Sequence, residues 1–113
     1  MTFFNSEMVR SELEEISELQ DEVYKKVFDF YMMTKEEKID HITLLQKLLD
    51  KQRVLYTRMS LSDDPKAQEM KSRILDSAKM MGLPDGMDIN YLFGNMEKLL
   101  ETMKKDLDKD SLP

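Results

Sequence analysis

Apolar residues recur every three or four positions along most of the chain, and the longest such stretch runs from Thr34 to Leu61. In it Ile42, Leu45, Leu49, Tyr56 and Met59 alternate at spacings of three and four once the polar Gln52 is counted, and Leu44, Leu48 and Leu55 widen the stripe. That period belongs to a long amphipathic helix. Thr34 stands three residues before Glu37, so its hydroxyl can accept an early backbone N–H while the carboxylate reaches back to the cap. A second stripe precedes this one, through Val9, Leu13, Ile16, Gln20, Val23, Val27 and Phe30. It predicts a helix from a cap at Asn5 or Ser6 to about Met33. After Asp21 the stripe broadens through Tyr24, Phe28, Tyr31, Met32 and Met33, so this half is expected to be packed by several neighbours and the first half by fewer.

Almost no linker separates the two long helices, and so short a connection makes them antiparallel neighbours. Each would extend roughly 40 Å at a rise of about 1.5 Å per residue. After Leu61, Ser62-Asp63-Asp64-Pro65 combines side-chain caps with a proline near the first helical position. The third helix carries Ala67, Met70, Ile74, Ala78 and Met81, ends at Gly82, and is followed by a Pro84-Asp85-Gly86 turn. Asp88 is placed to cap a fourth helix with Leu92, Met96, Leu99, Met103 and Leu107 on one face, fraying from Asp106 onward. Strand alternation and internal repeats are absent. The fold class expected is all-α, a long antiparallel helical hairpin with two shorter C-terminal helices, as a single domain over residues 1–113.

Composition narrows the function classes. The chain has no cysteine, which excludes disulfides, thiolate catalysis and cysteine-ligated metals. No apolar run reaches the length of a membrane span, and the N-terminus has neither a basic lead nor an apolar signal core, so a cytoplasmic protein with no membrane association is expected. The formal net charge is −6, and residues 1–22 hold seven acids against Arg10 alone, while the remaining sixteen acids and sixteen bases cancel. This acidic stretch is either a solvated face or a docking surface for a basic partner. In both cases nucleic acid is a poor partner, because sequence-independent binding needs a basic face.

No residue set amounts to an active site. The paired carboxylates lie among counter-charges on helix surfaces, with nothing to split their pKa values. His41 is the only histidine. It stands one turn after Glu37, and a di-iron bundle would need Glu-x-x-His on two helices, so a packed histidine with one hydrogen bond is expected. Asp106-x-Asp108-x-Asp110 has the opening spacing of a calcium loop, but Ser111 stands where glycine is required. No catalytic residue, metal ligand or cofactor is assigned. Most of the eleven methionines fall on the helical stripes and read as core filler; Met32, Met33 and Met87 do not fit so easily. Phe3 and Phe4 lie outside any helix, either as an exposed hook or as a staple on the first helix. The stretch Lys51 to Ser62 mixes basic and aromatic side chains, types common among interface anchors. The candidate partner-binding residues are therefore Phe3, Phe4, Arg53, Tyr56 and Arg58. For Tyr56 the competing role is core, and for the two arginines it is pairing with the surplus acids.

Several short motifs together resemble a family. They are the opening Met-x-Phe-Phe-x-Ser-Glu, the basic and aromatic stretch into Leu61-Ser62-Asp63, Gly82-Leu83-Pro84, and Leu92-Phe93-Gly94-Asn95-Met96 with Met103-Lys104. The group they resemble comprises small helical proteins of cyanobacteria and their marine phages, classed as a domain of unknown function. The resemblance implies such a source and no assigned activity. The function expected is a non-enzymatic protein-protein interaction module, an adaptor or phage-encoded, host-directed regulator with an unknown protein partner. A homodimer is expected, because two short helices leave apolar surface uncovered on the long ones. The alternatives are a small-ligand carrier with an apolar cavity lined by methionines and aromatics, and a metalloprotein or enzyme with a site assembled across subunits.

Overall fold

A computed structural model describes residues 3–80 and 82–109 and shows an all-α architecture. Four helices, α1 (Glu7–Lys26), α2 (Lys35–Leu61), α3 (Pro65–Met80) and α4 (Ile89–Lys109), are joined by short turns, and there is no strand among the described residues. Helix α2 is the spine. Helices α1 and α4 run antiparallel to it on its two flanks, and α3 packs near its C-terminal end.

The doubled apolar stripe of α2 explains this arrangement. Leu48, Leu55 and Met59 join Val9, Ile16, Leu19 and Val23 of α1 and Ala67 of α3 in one buried cluster. Leu49 and Tyr56, each one position further on and so about 100° round the helix, join Ala78, Leu83, Ile89 and Phe93 in a second. Ile74 of α3 packs against both clusters. Ion pairs reinforce each flank: Arg58 Nε donates to Glu12 Oε1 at 2.9 Å and Lys51 pairs with Glu15 on the α1 side, while Arg53 Nη1 donates to Glu97 Oε1 at 2.8 Å on the α4 side.

The helix boundaries follow their caps. Thr34 Oγ1 accepts the Glu37 N–H at 3.2 Å, and the Glu37 carboxylate takes the Thr34 hydroxyl at 3.3 Å in place of the backbone N–H a capping box uses. Ser6 occupies the N-cap position of α1 without a side-chain hydrogen bond. Asp64 does two jobs: Oδ1 accepts the Lys66 N–H at the start of α3, and Oδ2 accepts the Phe3 N–H at 2.6 Å. Those two donors, the Phe3 N–H foremost, hold its carboxyl below the usual aspartate range. At the other end of α3, Gly82 adopts φ +111°, with its N–H on Lys79 O and the Leu83 N–H on Ala78 O, the two bonds that close a helix through a left-handed residue.

Several expectations are corrected. The first helix stops at Lys26, and Val27–Met32 continues as a 3-10 helix of six residues. Helix α1 also buries Leu19 in place of Gln20 and turns Leu13 outward, because Glu12 faces inward to meet Arg58. In α4 the packed residues are Ile89, Phe93 and Leu100, with Leu92 at the edge, while Met96 and Leu99 are exposed. The helix persists to Lys109 instead of fraying at Asp106. On α3, Ala67 and Ala78 are buried, Ile74 is half-buried and Met70 is exposed; Met81 lies outside the described residues, as do Asp110 and Ser111.

Candidate functional site

The candidate anchors read from the sequence are all engaged within the chain. Phe3 and Phe4 form a short 3-10 turn with Asn5, their rings edge to face at 5.0 Å, packed against the first cluster, so the staple is the arrangement observed. Tyr56 is buried with its ring 6.1 Å from that of Phe93. Burial first, and then the charge of Asp88, push its phenol above the ordinary tyrosine range. Arg53 and Arg58 are spent on Glu97 and Glu12. The structure thus brings Arg53, Tyr56 and Arg58 onto one stretch of α2, where they fasten α4 on one side and α1 on the other.

The Arg58 pair is unequal. Glu12 keeps 20% of its side-chain surface and Arg58 keeps 41%, and Glu12 Oε2 is buried without a hydrogen-bond partner. Removing the arginine would strand a carboxylate already short of one bond, whereas removing the glutamate frees a half-solvated guanidinium. Arg58→Met is therefore expected to cost about 1–3 kcal/mol, and Glu12→Gln less than about 1 kcal/mol. Urea unfolding of the two variants side by side checks the order.

The surface that the fold leaves uncovered lies elsewhere. Tyr24, Phe28, Tyr31 and Met32 are 64, 85, 78 and 73% exposed, and Val27 is 43% exposed. This reverses the expectation that the second half of the first helix would be the better packed. Beyond Lys26 the cause is local: Val27, Phe28, Phe30 and Tyr31 are poor helix formers, and the chain tightens to a 3-10 path of about three residues per turn. With that change of pitch the 3.6-residue stripe no longer follows α2, and within the segment Phe30 is the half-buried residue, its ring 5.6 Å from His41 and beneath Lys38 Nζ.

Next to this surface, Lys26, Asp29, Met32, Met33, Glu37, Asp40, His41 and Leu44 line an open cleft of about 300 Å³. His41 is only 3% exposed, and its Nδ1 has no hydrogen-bond partner, where one bond was expected. Burial, and next the positive charge of Lys26, depress its pKa. An imidazole held below its ordinary value of about 6.5 contributes stability that is complete above that value and falls away as pH drops toward the folded-state pKa, since the unfolded chain takes the proton first. As the only histidine, His41 has this window largely to itself. Replacing it by Phe is expected to flatten the loss of stability between about pH 6.5 and pH 5, as read from urea midpoints across that range.

Among the described residues no group of three or more His, Asp or Glu side chains could hold a metal ion, and no helix is long and apolar enough to cross a membrane. Asp106 and Asp108 lie on α4, not in a loop. Of the seven acids in residues 1–22, Glu12 and Glu15 pair with α2, and Lys51 lowers the Glu15 pKa by hydrogen bond and charge. Glu7, Glu14, Glu18, Asp21 and Glu22 face solvent.

A family model described as a domain of unknown function (DUF1825) matches residues 1–107, so the chain belongs to that family. No curated protein and no solved structure matches the chain.

Proposed function

We propose that this member of the family is a non-enzymatic helical interaction module, an adaptor or regulator that acts as a homodimer in the cytoplasm. The observation that carries the reading is the aromatic surface at Tyr24, Phe28 and Tyr31, left outside while Phe3, Phe4, Arg53, Tyr56 and Arg58 are engaged within the chain. Exposed clusters of large apolar side chains mark interaction sites. The exposed acids of α1 supply a second surface, suited to a basic partner. Were the chain phage-encoded, one of the two sources the motif resemblance implies, that partner would be a host protein.

The test joins two measurements on the purified chain. Light scattering at high micromolar concentration should give twice the chain mass. Immobilised chain should retain a specific protein from cells that encode it, and Glu14→Lys/Glu18→Lys/Glu22→Lys should lose that protein. A chain that stays monomeric and retains nothing contradicts the reading.

A second reading, a small-ligand carrier, has one observation in its favour, the buried and unpartnered His41 Nδ1 in the wall of the cleft. A small molecule that survives native mass spectrometry with the wild type and is lost from His41→Phe would support it.

A further inference from the structure

The aromatic surface has the size, chemistry and charge of an interface that a chain makes with its own copy. Three largely exposed aromatic side chains, with Met32 and Val27 in the same segment, present on the order of several hundred Å² to solvent, a substantial part of the about 800 Å² that each partner contributes to a standard interface. Tyrosine, phenylalanine and methionine are the types enriched in interface centres. The overall shape agrees: the molecule measures 56 × 32 × 20 Å with a radius of gyration of 16.4 Å, against roughly 13 Å for a compact chain of this length.

Charge identifies the partner. Lys25, Lys26 and Asp29 lie within the segment, with Glu22 just before it and Glu36 and Glu37 just after it, all exposed. A partner of one dominant charge would meet like charge on part of this rim. A surface carrying both signs around an apolar centre is self-complementary when rotated by a two-fold axis, so each basic edge can meet an acidic one.

We propose that a second copy of this chain seats on residues 24–32, the two segments packing across a two-fold axis to make a head-to-head dimer. This rests on the interaction-module reading and adds to it the surface and its symmetry. The α4 residues Tyr91 and Leu99, 55 and 60% exposed, are the competing apolar surface and supply the control.

The experiment is sedimentation velocity on the wild type, on Tyr24→Ser/Phe28→Ser/Tyr31→Ser and on Tyr91→Ser/Leu99→Ser, with circular dichroism to verify helix content. All the replaced side chains are exposed, so each variant should keep its fold. The tip variant is expected to weaken the dimer by about 100-fold or more, since central aromatic anchors each cost tenfold or more; the α4 variant should change it less than about threefold. The chain has no cysteine, so a spin label can be placed on Lys25→Cys at the tip or Asp63→Cys at the far end. Labels at the tip should report a short distance between chains that labels at Asp63 do not.

A dimer that survives the tip changes, or one that the α4 changes dissociate, overturns this inference and leaves the interaction-module reading in place. A wild type that remains monomeric to high micromolar concentration overturns the head-to-head dimer and, with it, the homodimeric part of the function. A short distance between Asp63 labels overturns the head-to-head arrangement alone.

Discussion

Replacing Phe93 by alanine is expected to lower stability by about 3–5 kcal/mol, the largest single effect on the α4 side of the molecule. Phe93 is buried against Tyr56, and it is the only aromatic ring that α4 sends into the second cluster. Its neighbours on that flank are the Arg53–Glu97 pair, whose side chains are both more than a third exposed, and the exposed Lys104 Nζ to Thr43 Oγ1 hydrogen bond at 3.0 Å. Exposed polar contacts of that kind contribute little. Without the ring, α4 therefore has Ile89, Leu92 and Leu100 to hold it. Hydrogen exchange should show amides of residues 93–109 losing protection before those of α1. Uniform loss along the whole chain would mean that α4 does not open separately.

Ile42→Ala comes next, at about 2–5 kcal/mol. Among the described residues Ile42 is the one large side chain with no exposed surface at all, and it sits on α2 next to His41, which lines the open cleft. Shortening it removes methylenes from a site with no exposed surface, so the cost should lie above that of Leu48→Ala, whose site keeps 8% of its surface. Thermal melts of the two variants test the ranking. Equal destabilisation would show that the region near the cleft relaxes freely, and the uncovered surface would then be a soft one.

The hairpin, the caps at Thr34, Asp64 and Asp88 and the turn at Gly82 were legible in the sequence, because each depends on residues within a few positions of one another. What one helix faces depends on others far along the chain. Glu12 displaces Leu13 from the inner face only because Arg58 lies opposite, 46 residues away. The stripe read on α4 holds in part for a related reason: Leu92 packs on the second cluster and Met103 and Leu107 are half-buried, but Met96 and Leu99 are exposed and the overlapping face with Phe93 meets Tyr56 instead. The exposed segment was the hardest to anticipate. Tyr24, Phe28 and Tyr31 share a helical spacing that reads as core, and no glycine or proline announces the change to a 3-10 path at Val27. The available cue was composition, since aromatic and β-branched residues gather there where helix formers would be expected.

A second copy seated on residues 24–32 would slow exchange of the amides it covers. Hydrogen exchange read by mass spectrometry on peptides spanning residues 24–33, at low and high protein concentration, reads that directly. Protection there should rise with concentration while peptides from α3 stay unchanged. Protection that is the same at both concentrations, or that rises along α4 instead, would contradict it.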